Sequence, residues 1–408
     1  MPVSKSLTGN YAVSHAARLC GVQMVGFFPI GPSDEVAEEI ARLVRKGEMQ
    51  ATIMDLENER SVMSALIMAS EGGVRTIFGT NSEGLFFAAE QIKHAAPSRL
   101  PVVLAVANRA LEPPLVVTPD YQDTISFRDC HWLQLYCENP QDVLDTTIQA
   151  YRIAEDPRVM LPAFVCYEGW EISHSTYACS LPDAADVQRF LPPYRRKPEE
   201  DFLLFDYRAM YADGRTETVG DETARDDYME KRFRLMSALE GAGAVVDEAA
   251  ADYARMTGRD YGGVLQAVSC EDADVVLVTM GAITSAARLV VKALREEGRS
   301  VGLIKLRSFR PFPRAALRRH LARAKAVVVI ERDVSGAVVQ ELRNALYGLA
   351  PAPRVLGRIV GIGGRDVTLD DVIELTEEGF AAARSIDGVD EQRWHFGLAE
   401  TVAAGKGA

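Results

Sequence analysis

An α/β protein built as two sheet-containing units is the fold class that the sequence predicts, and three features predict it. Short runs rich in Val, Ile, Leu and Phe alternate with helical segments between residues 10 and 107, at the spacing of strand-helix repeats that form a parallel sheet. The same alternation starts afresh at Asp274. Between the two the pattern weakens, and Leu191-Pro192-Pro193-Tyr194-Arg195-Arg196-Lys197-Pro198 has the composition of a linker, which places a boundary inside 180–265.

The elements follow in order. A helix is predicted over 10–20, with Ala12, Ala16, Ala17 and Leu19 on one side, then a strand over 22–28 that stops at Pro29-Ile30-Gly31-Pro32. Ser33 is placed to cap a helix reaching Leu43, with Glu35, Glu38 and Glu39 suiting its positive end. Strands over 51–56, 76–79 and 101–107 alternate with helices over 60–70 and 84–94. A helix over 142–154 precedes a buried strand over 159–167 with Pro162 near its start. Polar helical sequence covers 221–242 and continues over 248–256. The second unit reads as strand 275–280, Gly281, helix 285–297 closed by Gly298, and strand 301–305. Breaks follow at Pro311 and Pro313, then helix 314–322 and strand 326–330.

Composition excludes several functions. With 45 Lys+Arg against 58 Asp+Glu, the net charge of -13 argues against gripping nucleic acid or an anionic membrane. The six cysteines (20, 130, 137, 166, 179, 270) form no CxxC pair, so no zinc ribbon, iron–sulfur run or secreted disulfide framework is expected. The histidines are scattered, which disfavours a metal site, and no GxSxG elbow is present. The first residues lack a signal peptide's apolar core, and the most apolar runs, 102–107 and 326–330, fall far short of the ~20 residues of a membrane span. A soluble cytoplasmic protein is the expectation.

Two glycine motifs resemble nucleotide loops. Gly281-Ala282-Ile283-Thr284-Ser285-Ala286 lacks the second glycine of GxGxxG and reads as a tight strand-to-helix turn. Gly361-Ile362-Gly363-Gly364-Arg365-Asp366 is followed by no lysine and reads as a flexible loop or contact segment. Four strand ends of the first unit say more: Phe27-Phe28-Pro29-Ile30-Gly31-Pro32-Ser33, Leu56-Glu57-Asn58-Glu59-Arg60-Ser61, Gly79-Thr80-Asn81-Ser82-Glu83-Gly84-Leu85 and Ala107-Asn108-Arg109-Ala110. In a parallel sheet these ends share one rim, where ligands bind. A carboxylate, small polar groups and an arginine would converge there.

In the same segments, and in order along nearly the whole chain, the sequence resembles the alpha chain of the pyruvate:ferredoxin (2-oxoacid:acceptor) oxidoreductases. Gly9-Asn10-Tyr11-Ala12-Val13 is similar to the family's GN-x-A-V, Phe28-Pro29-Ile30-Gly31-Pro32-Ser33 to its YPITPS loop, and Leu56-Glu57-Asn58-Glu59-Arg60-Ser61 to its ESEHS. Thr80-Asn81-Ser82-Glu83-Gly84-Leu85 resembles TSSxGL. Asp123, Asn139-Pro140-Gln141-Asp142 and Glu168-Gly169-Trp170 with Ser173-His174 match later landmarks. Arg307-Ser308-Phe309-Arg310-Pro311-Phe312-Pro313 and Gly361–Asp366 resemble the R-x-yRPFP and GLGGRD signatures.

The resemblance implies two doubly wound sheet domains: a thiamine diphosphate pyrimidine-type domain with trailing linker over 1–240 and a transketolase C-terminal-like domain over 265–408. It implies an enzyme subunit that acts with partner chains in CoA-dependent oxidative decarboxylation of a 2-oxo acid. A beta subunit would hold the diphosphate and Mg²⁺, and gamma and ferredoxin-like delta subunits would complete the complex, with [4Fe-4S] clusters on the partners. Glu59 would serve as the catalytic carboxyl and hydrogen-bond the pyrimidine N1′, with Glu57 as its competitor two residues away. Pro29, Asn81 and Ser82 would line the cofactor. Arg109, with Gly31 and Ile30, would face the substrate. The departures concern the substrate: Gly31 stands where pyruvate enzymes carry threonine, Phe27 and Phe28 replace a small residue and tyrosine, and Arg60 replaces histidine. Removing the threonine side chain makes room for a bulky or aryl 2-oxo acid such as phenylglyoxylate. Pyruvate or oxalate, direct use of NAD as acceptor, and a non-catalytic scaffold role stand as the alternatives.

Overall fold

A computed structural model describes residues 3–194, 225–385, 392–393 and 398 of the chain. The end of the proline-rich linker (195–198) and the start of the predicted polar helix (221–224) lie outside them. The strands are β1 (Val3–Leu7), β2 (Met24–Phe27), β3 (Thr52–Asp55), β4 (Thr76–Thr80), β5 (Val103–Asn108), β6 (Leu133–Tyr136), β7 (Ala163–Glu168) and β8 (Tyr177–Leu181). They continue as β9 (Leu265–Val268), β10 (Val275–Thr279), β11 (Val301–Leu306), β12 (Ser308–Arg310), β13 (Ala326–Glu331), β14 (Arg354–Ile359) and β15 (Gln392–Arg393).

The first sheet runs β12-β6-β7-β5-β4-β2-β3 and is parallel except for β12 on β6. Every residue of β4, β5, β6 and β7 is buried, as strands covered on both faces require. β3 is the half-exposed edge. The second sheet runs β15-β14-β13-β10-β11-β9, antiparallel only at β9. β1 and β8 form a separate antiparallel ribbon. Each large sheet has a reversal of strand order: from β2 the chain first goes to β3 and then to β4 on the other side, and from β10 to β11 and then to β13. Such switch points open a crevice at the carboxyl ends of the strands.

Local chemistry accounts for the helices at these crevices. Asn58 caps the helix Glu59–Glu71 by accepting from Ser61 N at 2.9 Å. Asn139 caps Pro140–Ala154, whose first residue is a proline that has no amide to leave unpaired. Ser33, read as a helix cap, does not cap: the helix is Glu35–Arg45 behind Asp34, and the Ser33 hydroxyl donates to Ile30 O at 3.0 Å instead. The turn at Ile30–Ser33 competes for that hydroxyl and wins. The helix read over 84–94 is two helices, Ser82–Phe87 and Ala89–Ala95, because the backbone turns at Ala88 (φ -93°, ψ 9°). The polar segment forms one helix, Arg225–Thr257, lying against Pro140–Ala154.

The two sheets share one core, since the larger apolar cluster joins Leu104 and Val106 of β5 to Val276, Ile304 and Leu306 of the second sheet. Buried charge reinforces the junction. Lys305 Nζ lies 2.5 Å from Asp142 Oδ2, and Arg307 donates to Thr146 and Gln149 at 3.1 and 2.8 Å. The first unit packs into the second crevice. Ala282 N donates to Glu168 Oε1 at 2.8 Å, the Tyr121 hydroxyl donates to the same oxygen, and Tyr121 N donates to Arg332 O at 2.9 Å. Gly281, at φ +74°, leaves no space for a side chain because a Cβ would overlap the Tyr121 hydroxyl. Gly281 is thus a tight turn occupied by protein. The Gly361–Asp366 segment is a contact: Thr118 Oγ1 donates to Gly363 O at 2.6 Å, and Gly364 N to Pro119 O at 2.8 Å.

Candidate active site

The first crevice lies between β2 and β4. After β2 the chain turns through Ile30-Gly31-Pro32, and after β4 it passes through Asn81 into the helix at Ser82. Asn81 Nδ2 donates across the crevice to Ile30 O at 3.2 Å and to Ser33 Oγ at 2.8 Å. Ser82 Oγ donates to Ala110 O at 2.9 Å, which ties the β4 end to the β5 end. Arg109, 8% exposed, sends Nη1 to Gly31 O at 2.9 Å and pairs Nη2 with Glu112. Its buried Nε has no hydrogen-bond partner among the described residues. Ile30, Gly31, Asn81, Ser82 and Arg109 therefore form one connected rim. Pro29 is exposed beside it.

Glu59 forms a second centre. It is the first residue of its helix and only 4% exposed, whereas Glu57 is exposed and accepts from Ser61 Oγ. The two carboxyls are driven apart electrostatically. Burial pushes the Glu59 pKa up against the opposing bond from its own main-chain amide, while the Ser61 hydroxyl holds that of Glu57 down. Glu59 lies against Gly84, where a Cβ would come within 2.8 Å of Glu59 Oε1 and 2.5 Å of Thr80 Oγ1. A cavity of about 410 Å³ is lined by Glu59, Glu83, Gly84, Phe86 and Phe87. Both phenylalanines are exposed.

These residues suit a heteroaromatic ring. A buried carboxyl with a raised pKa can present a proton to a ring nitrogen, and Phe86 and Phe87 offer apolar faces beside it. Thr80 Oγ1 and Asn81 Oδ1 are buried without hydrogen-bond partners among the described residues. They are polar capacity next to Glu59 and the crevice. The pyrimidine half of thiamine diphosphate fits that donor set.

Sequence reasoning named Asp123 only as a landmark and did not name Gly84, Thr80 or Asn108 for a role. The signal for Gly84 lay in the Thr80–Leu85 motif. Asn108 stood in the Ala107–Ala110 strand end without a role of its own; its Nδ2 donates to Asp123 Oδ1 and Thr124 Oγ1 at 2.7 and 2.8 Å.

The chain is similar to known proteins along most of its length. Residues 15–251 match the family model described as pyruvate flavodoxin/ferredoxin oxidoreductase, thiamine diphosphate-binding, and 273–372 match pyruvate:ferredoxin oxidoreductase core domain II. The chain is 35% identical over 382 residues to the pyruvate synthase subunit PorA of Methanothermobacter thermautotrophicus, covering 92% of this chain and 96% of that one. It is 37% identical over 385 residues to PorA of Pyrococcus furiosus, with coverages of 93% and 94%. The ketoisovalerate oxidoreductase subunit VorA of Pyrococcus horikoshii is 35% identical over 381 residues, with coverages of 92% and 94%. Among solved structures, the 2-oxoglutarate:ferredoxin oxidoreductase of Magnetococcus marinus superposes with a TM-score of 0.70 at 18% identity, covering 93% of this chain and 65% of that one. A split-gene transketolase superposes with a TM-score of 0.55 at 15% identity, covering 93% and 100%. At those identities the structural likeness bears on the fold, and it supports two thiamine-enzyme-type sheet domains.

Proposed function

Because this chain belongs to the pyruvate:ferredoxin oxidoreductase family, as the alpha subunit of a 2-oxoacid oxidoreductase, we propose that it supplies the pyrimidine side of a thiamine diphosphate site completed by a partner subunit. The observation that carries this reading is Glu59: a carboxyl at a helix start whose pKa burial raises, opening onto a cavity walled by Gly84 and two exposed phenylalanines. Bound thiamine diphosphate supplies the carbon nucleophile and the electron sink for decarboxylation. Glu59 holds a proton at its carboxyl and presents it to the pyrimidine N1′. Asn81, Ser82 and Pro29 shape the cofactor's side of the rim. Arg109 offers its guanidinium to the 2-oxo acid, whose carboxylate accepts paired, charge-assisted hydrogen bonds.

The reaction is oxidative decarboxylation of the 2-oxo acid to CO₂ and, with CoA, the acyl-CoA. The electrons leave through iron–sulfur clusters on partner chains, and the beta subunit carries the Mg²⁺ and the diphosphate. Gamma and ferredoxin-like delta subunits complete the complex. Within this chain the first domain and its trailing linker run to about residue 240, inside the Arg225–Thr257 helix, and the transketolase C-terminal-like domain begins near 265. The setting is cytoplasmic; among the described residues no helix is long and apolar enough to cross a membrane.

Substrate width turns on Gly31. It is exposed, and a Cβ built there meets no atom within 4 Å. That space supports a branched or aryl 2-oxo acid such as phenylglyoxylate. The second reading, pyruvate, is favoured by the pyruvate synthase relatives. Substrate screening with the assembled complex tests both, and Gly31→Thr sharpens the result. If the open space admits the side chain, the substitution lowers kcat/KM for the bulky acid roughly tenfold or more and spares pyruvate. Equal kcat/KM values for both acids before and after substitution would remove Gly31 from the specificity argument.

A further inference from the structure

Asp123 carries no part of the chemistry above, yet the rim is built on it. It sits in the short helix Gln122–Ile125 and is completely buried. Oδ2 accepts the main-chain N–H groups of Ser82 and Arg109, both at 3.1 Å. Oδ1 accepts Asn108 Nδ2 and Thr124 N, both at 2.7 Å. Each oxygen thus receives two N–H donors, which is about the full acceptor capacity of a carboxylate. The two donors on Oδ2 belong to different loops, one after β4 and one after β5.

Each of those donors has a reason to need holding. Ser82 lies at φ +40°, in the left-handed region that a residue with a side chain adopts only when its surroundings enforce it. Arg109 must reach sideways from the end of β5 to the Gly31 carbonyl beyond β4, so the direction of its main chain sets where the guanidinium lands. An asparagine at position 123 would keep the shape but turn an NH₂ group toward one pair of donors. That pair would lose its acceptor inside a buried site, where no water replaces it.

We propose that Asp123 is a positioning residue for 2-oxo acid binding: it clamps the Ser82 and Arg109 main chains so that the Arg109 guanidinium stays fixed beside Gly31. The assignment rests on the reading of Arg109 as the substrate's carboxylate partner. Neither Asp123 nor Asn108 touches the substrate in this account.

The test is a double-mutant cycle in the assembled complex, with Asp123→Asn, Arg109→Ala and the pair, reading KM for the 2-oxo acid, KM for CoA and kcat separately. Asp123→Asn is expected to raise KM for the 2-oxo acid about tenfold while KM for CoA changes less than about twofold. In the Arg109→Ala background it is expected to add less than about twofold, because the group it positions is gone. Full multiplication of the two effects, or an equal rise in both KM values, would show a general structural carboxylate and overturn the proposal. If Arg109→Ala raises KM and Asp123→Asn is silent, the proposal alone fails. A silent Arg109→Ala overturns the substrate reading and the proposal with it. Should Asp123→Asn fail to assemble, Asn108→Ala unseats the carboxylate from one side; a severalfold rise in the same KM supports the clamp, and an unchanged KM overturns it.

Discussion

Two carboxyls two residues apart, Glu57 and Glu59, are given opposite characters by their surroundings. Glu57 is exposed and its hydroxyl neighbour favours the ionised form, whereas Glu59 is buried and resists ionisation. The folded pKa of Glu59 lies above the ordinary 4.5, so its contribution to stability is fully present below about pH 4.5 and is lost as pH rises through the folded value. Glu59→Gln, neutral at every pH, escapes that loss. Thermal unfolding of the variant against the parent is expected to show a difference in Tm that moves in the variant's favour as pH rises above 4.5. A difference that moves the other way would mean that the carboxylate is stabilised in the fold. The residue types at the rim were legible in the sequence, since Glu59, Asn81, Ser82 and Arg109 stand in recognisable motifs. Their wiring was not, because Arg109 meets Gly31 across 78 positions and Asp123 reaches back 41 positions to Ser82.

At the level of elements, the fully buried parallel strands were the readable ones. β5, β7, β10 and β13 are nearly pure runs of apolar residues, which water alone would force inside. β6 escaped notice because it is four residues long and carries Gln134, whose Nε2 is satisfied by Thr124 O at 2.9 Å. β12, Ser308-Phe309-Arg310, has no local strand signal; it exists because β6 lies beside it, paired Ser308 to Leu135. The split at Ala88 was equally hidden, yet it matters. It lets Ser82–Phe87 present Gly84 to Glu59 and leaves Phe86 and Phe87 at the cavity. Gly84→Ala is therefore expected to push the Glu59 carboxyl away at a stability cost of about 1–3 kcal/mol, with a loss of turnover larger than that cost implies. Denaturant unfolding and steady-state turnover of the same preparation separate the two effects. Unchanged turnover would show that nothing depends on the close approach of this helix to Glu59.

Across the whole molecule, the two sheets carry different groups at their switch points. The first gathers Asn81 and the Arg109–Gly31 link there, with Glu59 nearby. The second receives Tyr121 and Glu168 of the first unit, and the burial that Glu168 undergoes raises its pKa to about 7. The two units are thereby joined at Gly281. Gly281→Ala tests this, because the new methyl would meet the Tyr121 hydroxyl and the backbone is already left-handed at φ +74°. The expected outcome is a loss of several kcal/mol, roughly the sum of overpacking and backbone strain, seen as a lowered Tm. An unchanged Tm would show that the two units are not held at this point. All six cysteines are buried and unpaired. The account stands most directly on turnover of the assembled complex carrying Glu59→Gln, measured beside a thermal unfolding curve. It predicts a fall in 2-oxo acid decarboxylation of roughly 10²–10⁴-fold, the range for losing a positioned acid–base group, with assembly retained and a Tm no lower than the parent's. Full turnover by that variant would contradict the account and leave the chain a scaffold.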